Sequence, residues 1–172
     1  MKKVLIVIDM QNDFIDGALG SPEAQAIVPN VKKKIEEYDA RGDQIIFTKD
    51  THSINYLYTN EGKHLPVEHC IEFTDGWQIA SQLDWTTNPC AYVFKPTFGW
   101  TGWSTFNLED AEIEIVGLCT DICVVSNAII LKAIYPETKI TVDASCCAGV
   151  TPESHKAALT TMKMCQINVI GE

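Results

Sequence analysis

The chain has 172 residues, of which 46% are hydrophobic and 21% are charged, and its formal net charge is −10. This length and composition predict one globular domain over residues 1–172, with a core large enough to fold on its own. The acidic balance opposes binding to nucleic acid or to an anionic membrane surface. The first apolar run, 4–8, is too short for a signal peptide, and no run reaches membrane-spanning length.

Seven cysteines are scattered along the chain, and none of them belongs to a CxxC pair. An odd number at irregular spacing is typical of reduced thiols and not of a disulfide framework. We therefore expect a cytoplasmic protein. We also expect a homo-oligomer, whose subunit number the sequence does not define.

Short apolar segments predict six strands, over residues 2–9, 43–48, 91–95, 111–116, 139–143 and 166–170. Helices are predicted over about 24–41, 124–133 and 153–164, with a short helix over 76–83. The segments 10–22, 49–76 and 96–106 are predicted to be loops, and the length of the second favours a functional loop. Strands that alternate with such crossovers predict an α/β fold, a three-layer α/β/α sandwich around a six-stranded, mainly parallel sheet.

Three polar residues lie at or just beyond the ends of predicted strands. Asp9 closes the first strand, Lys95 ends the third, and Cys123 lies one turn beyond the fourth. Because the carboxyl ends of parallel strands share one edge of a sheet, these side chains are predicted to converge. Each also has an ordinary alternative, since an aspartate can cap a loop, a lysine can be solvated and a cysteine can be a core residue.

The segment around Cys123 has the features of a nucleophile site. Thr120 is predicted to cap the following helix, which puts Cys123 in the first turn, where free backbone amides lower the pKa of a thiol. A nucleophilic thiol needs a base that takes its proton and a cation that stabilises charge, and Asp9 and Lys95 supply both. The backbone amides of Cys119 and Cys123 are predicted to form an oxyanion hole.

Three motifs together carry a specific resemblance: Asp9-Met-Gln-Asn-Asp-Phe14, Lys95 after its short strand, and Gly117-Leu-Cys-Thr-Asp-Ile-Cys-Val124. They resemble the signature of the isochorismatase-like cysteine hydrolases, a family that includes the nicotinamidases. The resemblance covers nearly the whole chain and implies a Rossmann-like fold in which Asp9, Lys95 and Cys123 form the catalytic triad. It also implies a cis peptide bond entering Cys119.

A second group of polar residues follows the second predicted strand. Asp50 and His52 are separated by one residue, so an extended segment projects both side chains to the same side, and His69 follows in the same loop. A carboxylate and two imidazoles suit zinc, manganese or iron(II). A polar loop with solvated histidines is the alternative.

The same pattern resembles the metal site of the nicotinamidases. The resemblance implies one divalent transition metal, with zinc as the first choice and manganese or iron as the alternatives. Glu61 lies about where some nicotinamidases place a fourth ligand, and His64 and Glu68 are the alternatives.

The expected substrate pocket departs from the nicotinamidase pattern. Those enzymes commonly carry a Trp-Pro pair before the second metal histidine, where this chain has Leu65-Pro66. Phe14 resembles the pocket phenylalanine of the family. Trp100 and Trp103, in the loop after the third strand, are candidates for the missing aromatic ring.

These observations predict a cysteine amidohydrolase that acts on a small-molecule amide. The reaction would release ammonia from an aromatic carboxamide, nicotinamide before others, through a thioester on Cys123. A hydrolase of another small amide, carbamoyl or ureido compound is the first alternative. A catalytically inactive binding or redox-sensing protein, in which Cys119 and Cys123 are oxidised together, is the second.

Overall fold

A computed structural model describes residues 2–84 and 86–172. The strands are β1 (Lys2–Ile8), β2 (Gln44–Asp50), β3 (Ala91–Lys95), β4 (Ala111–Leu118), β5 (Lys139–Ala148) and β6 (Asn168–Ile170). They form one sheet in the order β3-β2-β1-β4-β5-β6, and each neighbouring pair is parallel. The predicted α/β class with a six-stranded parallel sheet is confirmed.

Helices cover both faces of this sheet. They are α1 (Asn12–Ile15), α2 (Pro22–Arg41), α3 (Asn60–His64), α4 (Val125–Ile134) and α5 (Pro152–Met164). Leu5 and Val7 of β1 pack in one apolar cluster with α2. Val4 and Ile6 pack in a second cluster with α4 and α5, so β1 is buried on both faces and the three-layer prediction is confirmed.

The ends of the two longest helices follow from their sequences. α2 begins after Ser21, whose Oγ accepts a hydrogen bond of 3.0 Å from the N–H of Ala24, and it ends at Gly42 with a left-handed φ of 71°. α5 begins after Thr151, which forms a capping box with Ser154. Within the described ranges, no helix combines the length and apolar character that crossing a membrane requires.

Residues 76–83 do not form the predicted helix. The carbonyl of Gln78 accepts from the N–H of Asn12 at 2.9 Å, and the N–H of Ala80 donates to the carbonyl of Met10 at 3.0 Å. These backbone groups therefore pair with the segment after β1 and are not available for helical hydrogen bonds.

The predicted loops contain short regular segments. The loop 10–22 contains α1, the loop 49–76 contains α3 and a 3₁₀ turn (Tyr56–Tyr58), and the loop 96–106 contains a 3₁₀ helix (Thr101–Thr105). Segments of this length show too few residues for a periodicity to be recognised. β2 and β5 extend further than predicted, to Asp50 and Ala148.

The order of the strands reverses between β1 and β4. The chain proceeds outward from β1 to β2 and β3 on one side, and from β4 to β5 and β6 on the other. At such a switch point a crevice opens at the carboxyl ends of the strands, where α/β proteins bind their ligands. Asp9 follows β1 and Cys119 follows β4, so both residues flank this crevice.

Candidate active site and metal site

Asp9 lies directly after β1, where its backbone adopts a positive φ of 47°. Its N–H donates to the carbonyl of Thr48 at 3.3 Å and to the Thr48 hydroxyl at 3.1 Å. That hydroxyl donates in turn to Asp9 Oδ1 at 2.6 Å. Because Thr48 belongs to the neighbouring β2, the sheet holds both the backbone and the fully buried carboxylate of Asp9.

Lys95 ends β3, two strands away from β1, and its fully buried side chain reaches the same crevice. Its Nζ lies 2.5 Å from Asp9 Oδ2 and 3.5 Å from Cys123 Sγ. It also donates to the carbonyl of Thr97 at 3.2 Å and lies 3.5 Å from Asp50 Oδ1. One ammonium group therefore contacts both other members of the predicted triad.

Cys123 lies in a single π-helical turn, Thr120–Val124, between β4 and α4. Such turns are frequent at functional sites. The N-cap position is Cys119 and not Thr120 as predicted, because Thr120 Oγ1 makes a hydrogen bond of 2.8 Å with Nδ1 of His155. The peptide bond between Leu118 and Cys119 is cis, as the family resemblance implied.

Gly117 allows β4 to approach β1 closely just before this turn. Its φ is +120°, and a Cβ atom there would lie 2.1 Å from the carbonyl oxygen of Ile8. A side chain at this position would therefore push apart the two strands that flank the crevice.

The buried surroundings decide the ionisation of the triad. Burial raises the pKa of the Cys123 thiol well above its ordinary value, and the charge of Asp9 raises it further against the opposing effect of Lys95. Burial also raises the pKa of Asp9, although Lys95 works against this. Burial alone would lower the pKa of Lys95, but Asp9 reverses this effect and leaves that pKa raised. The expectation that the helix start lowers the pKa of Cys123 is therefore wrong for the resting protein.

A second cluster contains all four predicted metal ligands, whose ligand atoms lie within 4.8 Å of one another: Asp50, His52, Glu61 and His69. Asp50 Oδ2 lies 3.0 Å from His52 Nε2 and 3.6 Å from His69 Nε2. Glu61 Oε1 lies 3.6 Å from the first of these nitrogens and 3.8 Å from the second. The loop 49–76 thus brings two imidazoles and two carboxylates together.

This donor set fits a divalent transition metal. Nδ1 of His69 donates to the carbonyl of Val67 at 2.8 Å, which leaves the lone pair of Nε2 for the cluster. Burial raises the pKa of Asp50, but the contacts with the imidazoles of His52 and His69 and the charge of Lys95 outweigh burial and lower this pKa. Its buried Oδ1 has no hydrogen-bond partner among the described residues. Imidazole nitrogens with carboxylates are the ligands of zinc, manganese and iron(II).

The two alternatives to Glu61 lie outside this cluster. His64 is exposed, and its Nδ1 bonds to the carbonyl of Asn60 at 2.8 Å. Glu68 is exposed as well. The geometry therefore favours Glu61 as the fourth ligand.

Two residues that the sequence reasoning missed hold the metal cluster in place. Gln11 accepts from the N–H of Asp50 at 2.7 Å and donates to its carbonyl at 2.8 Å. The ring of the buried Tyr56 lies 4.7 Å from the ring of His52 and 4.9 Å from that of His69. The position of Gln11 inside the first motif was a usable signal, whereas nothing in the sequence distinguished Tyr56.

Asn127 of α4 was also missed, although it is a polar residue in a largely apolar helical segment. It is fully buried, and its Nδ2 donates to the carbonyls of Cys123 at 2.8 Å and Phe98 at 3.1 Å. Its Oδ1 accepts from the N–H of Trp100 at 2.9 Å and from Nε1 of Trp103 at 3.0 Å. One amide group thus connects the turn that contains Cys123 to the loop after β3.

A cavity of about 490 Å³, here called the reactive cavity, opens onto Cys119 and Cys123. Asp50, Glu61 and His69 of the metal cluster line the same cavity. One cavity therefore adjoins both the thiol and the metal cluster. Its volume is in the range of small-molecule sites.

The predicted pocket residues divide into two groups. Phe14 and Leu65 line the reactive cavity, whereas Trp100 and Trp103 do not. The expectation for the tryptophans is corrected, because Trp103 is fully buried and packs edge-on against Trp100 at 5.0 Å between ring centres. Phe98, from the same loop, lines the cavity instead.

Comparisons with known proteins identify the family of the chain. The model of the isochorismatase domain family matches residues 3–171. The nicotinamidase of Escherichia coli (strain K12) is 26% identical over 194 residues, covering 94% of this chain and 90% of that protein. The crystal structure of nicotinamidase/pyrazinamidase PncA from Bacillus subtilis has a TM-score of 0.87 at 28% identity and covers 99% of this chain and 100% of that one. The pyrazinamidase of Pyrococcus horikoshii in complex with zinc has a TM-score of 0.82 at 26% identity and covers 100% of both chains. The chain therefore belongs to the isochorismatase domain family and is one of its hydrolases.

Proposed function

We propose that the protein is a metal-binding cysteine amidohydrolase that releases ammonia from a small flat carboxamide, with nicotinamide as the first candidate. One observation carries the proposal. Lys95 Nζ lies 2.5 Å from the Asp9 carboxylate and 3.5 Å from the Cys123 sulfur, beside a cavity that the metal cluster also lines. The nicotinamidases and pyrazinamidases among the similar proteins support the same reaction.

The resting triad suggests how the thiol is activated. Because burial keeps the proton on Cys123, Asp9 takes it as the sulfur attacks the amide carbonyl carbon. The ammonium of Lys95 stabilises the negative charge of this pair throughout. The backbone N–H groups of Cys119 and Cys123 hold the oxyanion that forms on the carbonyl oxygen.

The tetrahedral intermediate then collapses to a thioester. Asp9 gives its proton to the leaving nitrogen, the C–N bond breaks and ammonia departs. Asp9 next takes a proton from a water molecule, whose oxygen attacks the thioester carbon. The C–S bond breaks, Cys123 recovers its proton and the carboxylic acid is released.

The metal cluster provides the second half of the site. Asp50, His52, Glu61 and His69 would hold a divalent metal ion, which would supply a Lewis-acidic position for a ring nitrogen or a water molecule. Asp50 also lies 3.5 Å from the ammonium of Lys95 through its other oxygen, so one carboxylate joins the two centres. A flat ring with a nitrogen meta to its carboxamide, as in nicotinamide, would suit this arrangement, because a held ring nitrogen would orient the carboxamide toward Cys123.

Ammonia release from a panel of amides tests the proposal. We expect turnover of nicotinamide and much slower turnover of benzamide, which has the same shape without the ring nitrogen. Cys123→Ala should reduce the rate by at least about 10³-fold. Cys165→Ala, at an exposed cysteine outside the site, is the matched control and should keep the rate.

Three outcomes would contradict parts of the proposal. Normal turnover by Cys123→Ala would remove the cysteine mechanism. Equal rates on benzamide and nicotinamide would show that the ring nitrogen is not held. Release of ammonia from a carbamoyl compound but not from nicotinamide would assign a different amide.

A further inference from the structure

A second cavity, of about 960 Å³, adjoins the reactive cavity, and we call it the outer cavity. Glu61, Leu65, Phe98 and Ile122 line both cavities and form the wall between them. Neither Cys119 nor Cys123 lines the outer cavity, so bond cleavage does not take place there. A molecule that occupies both cavities therefore places its reacting group in the first and another part in the second.

The outer cavity has a different chemistry from the reactive cavity. The reactive cavity is lined on its apolar side by Phe14, Leu19 and Leu118. The outer cavity has more hydroxyl, amide and carboxylate side chains in its lining, namely Thr51, Ser53, Thr59, Asn60 and Glu72, beside apolar ones such as Pro96 and Phe98. Among the described residues no lysine or arginine lines it. Its basic groups are the imidazoles of His52 and His64, and Glu61 and Glu72 are acidic, so it suits neutral or cationic hydrogen-bonding groups better than carboxylates.

Two side chains of the wall between the cavities are partly exposed, so a ligand can extend over them. Leu65 is 39% exposed and Phe98 is 45% exposed, although each contributes to both cavities. Apolar side chains with this exposure offer a surface on which the aliphatic part of a ligand can rest. A ring alone does not use this surface or the hydrogen-bonding groups beyond it.

We propose that the outer cavity is a second substrate subsite. The substrate is then a ring carboxamide that carries a polar, uncharged or cationic arm, which crosses Leu65 and Phe98 and forms hydrogen bonds in the outer cavity. This inference rests on the proposed function, because the reacting carboxamide must lie against Cys123.

Substituted nicotinamides test the subsite directly. The probes are nicotinamide and its derivatives with a hydroxymethyl, aminomethyl or carboxylate group at ring position 5 or 6. We expect kcat/KM for a hydroxymethyl or aminomethyl derivative to exceed that for nicotinamide at least tenfold, and the carboxylates to show no such gain. Equal or lower kcat/KM for every hydroxymethyl and aminomethyl derivative would overturn the proposal.

A wall variant and its matched control locate the effect. Leu65→Trp should fill the passage and remove most of the advantage of the armed substrate over nicotinamide. Leu57→Trp makes the same change at a residue that is 42% exposed and lines neither cavity, and it should preserve the advantage. An equal loss in both variants, or a retained advantage in Leu65→Trp, would overturn the assignment.

Binding separates this inference from the proposed function. Calorimetry with Cys123→Ala should show at least tenfold tighter binding of an armed carboxamide than of nicotinamide. This preference without ammonia release by the native enzyme would refute the proposed reaction and support the subsite. Turnover of nicotinamide without any preference in binding or rate would support the reaction and overturn the subsite.

Discussion

Cys123 of the triad and three members of the metal cluster line one cavity, but the fold supports the two centres differently. Asp9 and Lys95 lie at the ends of strands and are fully buried, and Cys123 is 4% exposed. In the metal cluster only Asp50 belongs to a strand, while His69 lies in an irregular loop and the Glu61 side chain is 22% exposed on a five-residue helix. The sheet thus holds one centre, and loop contacts hold the other.

This difference predicts which substitutions each centre tolerates. A residue at the end of a strand cannot move without disturbing the sheet, so the positions of Asp9 and Lys95 are fixed. Because both side chains are buried, removing one of them leaves the other charge unpaired at a large cost in stability. The metal cluster depends on a few tethers, such as Gln11 and Tyr56. Substitutions in the buried Asp9–Lys95 pair should therefore affect folding and activity together, whereas substitutions in the metal cluster should affect them separately.

The largest effect is expected from breaking the buried ion pair. Lys95→Met leaves the Asp9 carboxyl without its cation and should lower the free energy of unfolding by about 3–5 kcal/mol, with complete loss of activity. Combining it with Asp9→Asn removes the uncompensated charge and should restore most of the stability but none of the activity. Urea denaturation and ammonia release measure both. A double variant no more stable than Lys95→Met would show that the pair is not the source of the loss.

A metal ligand should give the opposite behaviour. His52→Ala should weaken metal binding by at least about 100-fold and leave the triad folded. His64→Ala, an exposed histidine of α3 outside the cluster, is the control and should bind the metal normally. Elemental analysis of protein purified without chelator measures the content. Full occupancy in His52→Ala would remove this residue from the metal site.

Asn127 offers a smaller and more specific test of the triad. Asn127→Leu removes the hydrogen bond to the carbonyl of Cys123 and should lower kcat about 10-fold through misplacement of the nucleophile turn. Trp103→Phe removes only the Nε1–H that donates to Asn127 Oδ1, and it should lower kcat less than about threefold. Steady-state kinetics measure both, with thermal denaturation as the check on folding. Equal losses of kcat would mean that Asn127 acts only as part of the core.

The smallest effect concerns the ionisation of Cys123. Because its pKa is raised, the thiol form predominates at neutral pH, and alkylation by iodoacetamide should increase with pH through a value above about 8.5. Mass spectrometry of the Cys123 peptide across a pH series measures this, with the exposed Cys165 as a check on the reagent. A midpoint well below the ordinary thiol value would show that Lys95 outweighs burial in solution.

The accuracy of the sequence predictions follows the same division. Asp9 and Lys95 were recognisable because they lie at or directly after the ends of strands, and the carboxyl ends of parallel strands meet at one edge of a sheet. Asp50 was recognisable from its spacing to His52. The helix predicted over 76–83 was wrong because its backbone groups pair with a segment more than 60 residues earlier in the chain. No local pattern records such a distant partner.

The aromatic residues show the same limit from another side. Trp100 and Trp103 were expected in the substrate pocket, yet the hydrogen bonds of Asn127 hold both on the core side of their loop. Phe98, two residues before Trp100, lines the reactive cavity instead. An irregular loop has no periodicity from which the direction of a side chain can be predicted.

Three features could be predicted from the sequence: which polar residues lie at the carboxyl ends of strands, the type of each reacting group, and the donor set of the metal cluster. All three depend on residue identity and on the short-range geometry of strands. Three other features required the tertiary structure: which loop residues line the reactive cavity, the presence of the outer cavity beside it, and the raised pKa of the Cys123 thiol. Burial is a property of everything packed around a group, so neither a cavity wall nor a buried pKa is encoded in any one segment.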